Sequence, residues 1–61
     1  MNSLWQLFQA LQAGTPYRWK NQPNGFWNEG IPLSIRREDG SGYKWLVVFQ
    51  GSTKEQYLQA E

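Results

Sequence analysis

Near the N-terminus, Leu4, Leu7, Phe8 and Leu11 recur at helical spacing, with Gln6, Gln9 and Gln12 on the opposite face. Ser3-Leu4-Trp5-Gln6 has the S-x-x-Q form of a capping box, in which the Ser hydroxyl and the Gln side chain satisfy free backbone N–H groups. Gly14 supplies a left-handed C-terminal cap ahead of Thr15-Pro16. The spacing predicts a helix over 3–13. After it the period changes to two. Residues 17–21 read as a strand, Pro23-Asn24-Gly25 as its reversal, and Phe26 resumes extended structure. Gly30-Ile31-Pro32 interrupts that stretch, because Pro cannot donate to a sheet ladder and marks a bulge or an edge. Residues 33–37 form the next predicted strand, Glu38-Asp39-Gly40-Ser41-Gly42 a hairpin loop, and residues 43–50 the strongest strand, with the apolar run "WLVVF". Ser52-Thr53-Lys54-Glu55 is a second capping box and predicts a short helix carrying Tyr57 and Leu58.

The expected fold is therefore α+β: a three-stranded antiparallel sheet packed on an N-terminal helix and closed by a short C-terminal helix, in the order α-β-β-β-α. Residues 1–61 are expected to form one small domain, since a chain of 61 residues supports a single core.

Alternation along the strands separates two sets of side chains. Tyr17 and Trp19 oppose Arg18 and Lys20, Leu33 and Ile35 oppose Ser34 and Arg36, and Tyr43, Trp45, Val47 and Phe49 oppose Lys44, Leu46, Val48 and Gln50. If the aromatic and aliphatic set lies under the helix, Arg18, Lys20, Arg36 and Lys44 gather on the other face of one sheet. A hairpin loop of odd length puts Ile35 opposite Trp45 and Arg36 opposite Lys44. A loop of even length inverts the faces, because a slip of one residue moves the whole set. Parity is not fixed from Trp27 to Leu33, across the Gly30–Pro32 break. Trp27 is the candidate exposed anchor, and Trp5, off the main helical stripe, is expected to flank the helix–sheet core.

Composition narrows the chemistry. Four Trp and three Phe bury roughly 150–250 Å² each, which is the stabilisation available to a chain with no Cys and no metal-ligand cluster. With neither His nor Cys, no constellation of nucleophile, base and orienting group is assembled, and Gly40-Ser41-Gly42 matches no phosphate-binding loop. The chain is expected to be non-enzymatic, without cofactor or metal. Absence of Cys and of a long apolar run is compatible with a cytoplasmic protein with no membrane partner. The net charge of +1 does not by itself indicate nucleic acid; the segregation of the cations does.

The stretch "YKWLVVFQGSTKEQYLQ" resembles the last strand and helix of three-stranded-sheet DNA readers of plants and of integrase arm-binding domains, in which the sheet enters the major groove. The α-β-β-β-α order also resembles double-stranded-RNA-binding domains, although "STKEQ" lacks the Lys-rich start of their last helix. "LFQALQAGTPYRWK" is similar to the opening of some small phage-encoded proteins.

Two readings follow. In the first, the chain is an accessory or regulatory module that contacts nucleic acid through Arg18, Lys20, Arg36 and Lys44. In the second, it is a small protein-binding inhibitor or adaptor, of the kind phages and mobile elements encode. It would then use Trp5, Trp27, Leu46 and Val48 on a protein partner or in a homodimer.

Overall fold

A computed structural model describes residues 2–38, 40 and 42–61. One helix precedes five strands: α1 (Leu4–Ala13), β1 (Tyr17–Trp19), β2 (Asn28–Gly30), β3 (Pro32–Arg37), β4 (Lys44–Phe49) and β5 (Glu55–Gln59). The strands form two sheets, an antiparallel pair β1-β2 and a three-stranded sheet β3-β4-β5. Asp39 and Ser41 of the expected hairpin loop lie outside the described residues.

The helix forms between its predicted caps, with the Ser3 half of the capping box made and no bond from the Gln6 side chain among the described residues. Ser3 Oγ accepts from the Gln6 N–H at 3.2 Å, and Gly14 takes a left-handed φ of 70° while its N–H donates to the Ala10 carbonyl. Leu7 and Ala10 face inward, joined by Tyr17, Trp19, Val47, Phe49, Leu58 and Ala60 in one core cluster. Leu4, Ile35 and Trp45 pack at its margin. Phe8 meets Trp45 edge to face at 5.8 Å, and Trp19 stacks on Phe49 at 5.8 Å with the ring planes 6° apart.

The expected C-terminal helix is absent; residues 55–59 are a strand. Two physical reasons account for this. The run Trp45–Phe49 is apolar on both faces, as suits a central strand, and such a strand needs a partner on each edge. Residues 55–60 also alternate: Leu58 and Ala60 are fully buried while Glu55 and Tyr57 face out. The Ser52 hydroxyl caps no helix. It accepts from the Lys54 N–H at 3.3 Å in a tight local turn that leads into β5.

The three strands of the main sheet are also not those expected. β1 pairs with β2 alone, because the chain breaks at Ile31 between Gly30 and Pro32. Pro32 opens β3 on a sheet edge, and the ladder slips between Pro32 and Ser34, which is the irregularity that Pro imposes. The β3–β4 hairpin keeps the odd-loop parity but sits two residues from the expected register. Ile35 pairs with Val47, and Arg36 with Leu46.

Asparagine side chains join the free edge of β5 to β1. Asn21 Nδ2 donates to the Tyr57 carbonyl at 2.7 Å, and its Oδ1 accepts from the Gln59 N–H at 3.0 Å. Asn2, which is buried, donates through Nδ2 to the carbonyls of Lys20 (2.8 Å) and Gln59 (2.7 Å). Its Oδ1 accepts from the Lys20 N–H at 3.0 Å. The segment around Asn2 runs parallel to Ala60, with the Glu61 N–H donating to Asn2 and the Leu4 N–H to Glu61. The strands thus follow one another around the core, and the last step is closed by side chains.

Gly30 is required where β2 packs directly on Phe49 of β4. A Cβ there would lie 2.9 Å from Cδ1 of Phe49, whose ring is held by its stack on Trp19. Gly30→Ala is expected to destabilise the protein by about 1–3 kcal/mol through overpacking. A urea denaturation midpoint measures this.

Candidate nucleic-acid interface

The two sheets divide the four cations singled out from the sequence. Arg18 and Lys20 lie on β1 and just past its end; Arg36 and Lys44 lie on the three-stranded sheet. The four do not share a sheet.

On the three-stranded sheet, the outward positions are Ser34 and Arg36 of β3, Lys44, Leu46 and Val48 of β4, and Glu55, Tyr57 and Gln59 of β5. Arg36 Nε and Nη2 donate to the two carboxylate oxygens of Glu55 at 2.6 and 2.9 Å, a fork-to-fork pair. The pair joins the two outer strands across β4, so it passes over the space between Leu46 and Val48. This explains why both apolar residues are only partly exposed. Lys44 sits with its ammonium 5.8 Å from the ring centres of both Tyr43 and Tyr57. Its pKa is raised, chiefly by hydrogen bonding with Tyr57 and then by the charges of Tyr57 and Tyr43.

The Glu55 carboxyl is held below the usual range, first by its hydrogen bonds from Arg36, with burial opposing and the Arg36 charge adding. Because the folded-state pKa is depressed, the pair's contribution is complete above the carboxyl's unfolded pKa. It is lost as the pH falls through the lower folded value. A carboxyl-carbon NMR titration is expected to place Glu55 below the usual carboxylate range, and Arg36→Ala to return it to that range.

On the two-stranded sheet the arrangement differs. Tyr17 and Trp19 point into the core, and burial raises the Tyr17 pKa while its hydroxyl donates to the Ser3 carbonyl at 2.9 Å. Alternation turns Arg18 and Lys20 outward. Both cations lie over one indole: the Arg18 guanidinium carbon is 4.9 Å from the Trp27 ring centre and Lys20 Nζ is 4.6 Å away. Lys20 Nζ also donates to the Pro23 carbonyl at 3.0 Å, which ties the cation to the reversing loop. Trp27 remains 55% exposed and the adjacent Phe26 92%, so this end of the hairpin presents aromatic surface and positive charge together. Glu29 stands opposite Arg18 in the ladder, and among the described residues they form no ion pair.

Trp5 does not flank the core. It is 69% exposed, because Leu7 and Ala10 take the buried line of the helix and Trp5 falls outside it. Alternation does not place Phe26, which follows the Pro23-Asn24-Gly25 reversal and adjoins Trp27, from which parity is not fixed. Among the described residues no group of three or more acidic, His or Cys side chains could hold a metal ion, and no helix is long and apolar enough to cross a membrane. With β5 in place of a helix, the likenesses to the DNA readers and to double-stranded-RNA-binding domains lose the element on which both depended. No protein family, curated protein or solved structure matches the chain.

Proposed function

We propose that this chain is a non-catalytic nucleic-acid-binding module, an accessory or regulatory factor, whose contact surface is centred on β1 and its loop. One observation supports this reading above the rest: Arg18 and Lys20 converge on the exposed Trp27 ring, giving phosphate-binding charge beside a stacking surface. Arg36 and Lys44 occupy the other sheet, where Glu55 and the two tyrosines engage them, and are given a lesser part.

Two cations give shallow salt dependence. With about 0.7 of a log unit per phosphate on a single strand, binding through both should show a slope of about −1.4 in log K against log salt. Fluorescence anisotropy with labelled oligonucleotides is expected to show that slope halved by Arg18→Ala or by Lys20→Ala. Glu29→Gln, which removes the facing carboxylate, should strengthen binding. Unchanged affinity and slope in all three variants would clear the β1 face of the role.

A second reading, a protein-binding inhibitor or adaptor, is favoured by the exposure of Trp5 on α1. It predicts a partner interaction insensitive to salt and lost with Trp5→Ala.

A further inference from the structure

We infer that the ligand is single-stranded and that one of its bases enters the cleft beside Trp27; this rests on the nucleic-acid reading above. The cleft has a volume of about 480 Å³, and its walls include Lys20, Gln22, Pro23, Trp27 and Gln59. It lies where the β1–β2 loop meets the edge of β5, at the junction that Asn2 and Asn21 close.

The walls divide by chemical role. The carboxamides of Asn2 and Asn21 are committed to backbone groups of Lys20, Tyr57 and Gln59. Those of Gln22 and Gln59 make no hydrogen bond among the described residues. A carboxamide both donates and accepts, which is what the edge of a nucleobase requires. Trp27 lines the same cleft with a half-exposed indole, and Lys20, whose ammonium lies over that ring, supplies a cation for the adjoining phosphate while an incoming base takes its place on the indole. A planar face, free amides and one cation within a single recess match a nucleotide part by part.

Charge decides between single and double strands. Duplex binding depends mostly on many phosphate contacts, and this surface offers two cations with Glu29 beside one of them. Stacking has to provide the remainder, and a base can stack on protein only when it is free of its own helix. Phe26, next in the chain and almost fully exposed, provides a second platform for a neighbouring base.

The test uses the full chain and a labelled mixed-sequence oligonucleotide of about a dozen nucleotides, single-stranded and as its duplex, read by anisotropy. The single strand should bind roughly tenfold tighter than the duplex, and Trp27→Ala should reduce single-strand affinity by roughly tenfold. Gln22→Ala, on an exposed loop, should weaken the single strand several-fold and leave the duplex unchanged. Circular dichroism confirms that both variants fold, and the Gln22 variant keeps the test valid should the Trp27 variant unfold. Equal or tighter duplex binding that still depends on Arg18 and Lys20 would overturn the single-strand inference and leave the nucleic-acid reading standing. Single-strand binding indifferent to both substitutions would overturn the cleft assignment. Binding to neither oligonucleotide would overturn inference and reading together.

Discussion

Asn2→Ala is expected to destabilise the protein by about 2–4 kcal/mol, an unusually large effect for a polar residue next to the chain start. The substitution removes the acceptor of the Lys20 N–H, the donor to the Lys20 carbonyl and one of two donors to the Gln59 carbonyl. Each orphaned buried group costs about 1–3 kcal/mol, and the lower part of that range applies because Lys20 is only partly buried. A chain of this size has roughly 3–9 kcal/mol of total stability, so the loss is a large share of it. Thermal unfolding should shift down by about 10–30 °C. Asn2→Asp keeps the shape but loses both donors, and should behave almost as badly. If Asn2→Ala unfolded within a few degrees of the parent, the closure between β1 and β5 would not be a stabilising feature.

Leu58→Ala should cost about 2–5 kcal/mol, whereas Tyr57→Ala next to it should cost under about 1 kcal/mol. Leu58 is fully buried and contributes to the core with Leu7 and Val47, while Tyr57 lies on the outward face beside Lys44. Sharp alternation between adjacent residues is the signature of a strand. Chemical denaturation of the two variants and of Gln56→Ala, with Leu58 alone severe, would establish β5 energetically. Comparable losses at Tyr57 and Leu58 would contradict the strand.

These two sites also show where the sequence is legible. The helix could be read from its ends, since Ser3 and Gly14 each carry a local backbone reason for their positions. Of the set that alternation places inward, Tyr17, Trp19, Val47 and Phe49 are buried and Ile35 and Trp45 pack at the core's margin, whereas Leu33 and Tyr43, next to the Pro32 irregularity and the hairpin loop, are exposed. β5 reads as a helix in the sequence because Ser52-Thr53-Lys54-Glu55 satisfies a capping pattern locally, whereas the competing demand comes from the otherwise unpaired edge of β4, whose residues pair with β5 from Val48↔Glu55 to Lys44↔Gln59. Asn2 and Asn21 could not be recognised at all: their partners are backbone groups far along the chain, and an Asn near a terminus has no pattern that announces them. The basic patch was overdrawn for the same reason. Alternation shows which side chains share a side of a strand, but the Gly30–Pro32 break puts β1 in a different sheet from β3 and β4. What alternation did preserve is the outward pair Arg18 and Lys20; the indole beneath them comes from beyond the turn, where parity is lost.

We propose that the chain meets its ligand through the β1 face and its loop, and not through the exposed helix. A backbone-amide and indole NMR titration with a single-stranded oligonucleotide, at low and then moderate salt, tests it most directly. Perturbations are expected at Arg18, Lys20, Gln22 and the Trp27 indole, fading as salt rises, with the Trp5 indole unmoved. Perturbations centred on Trp5 and Phe8, or none at either salt, would contradict it.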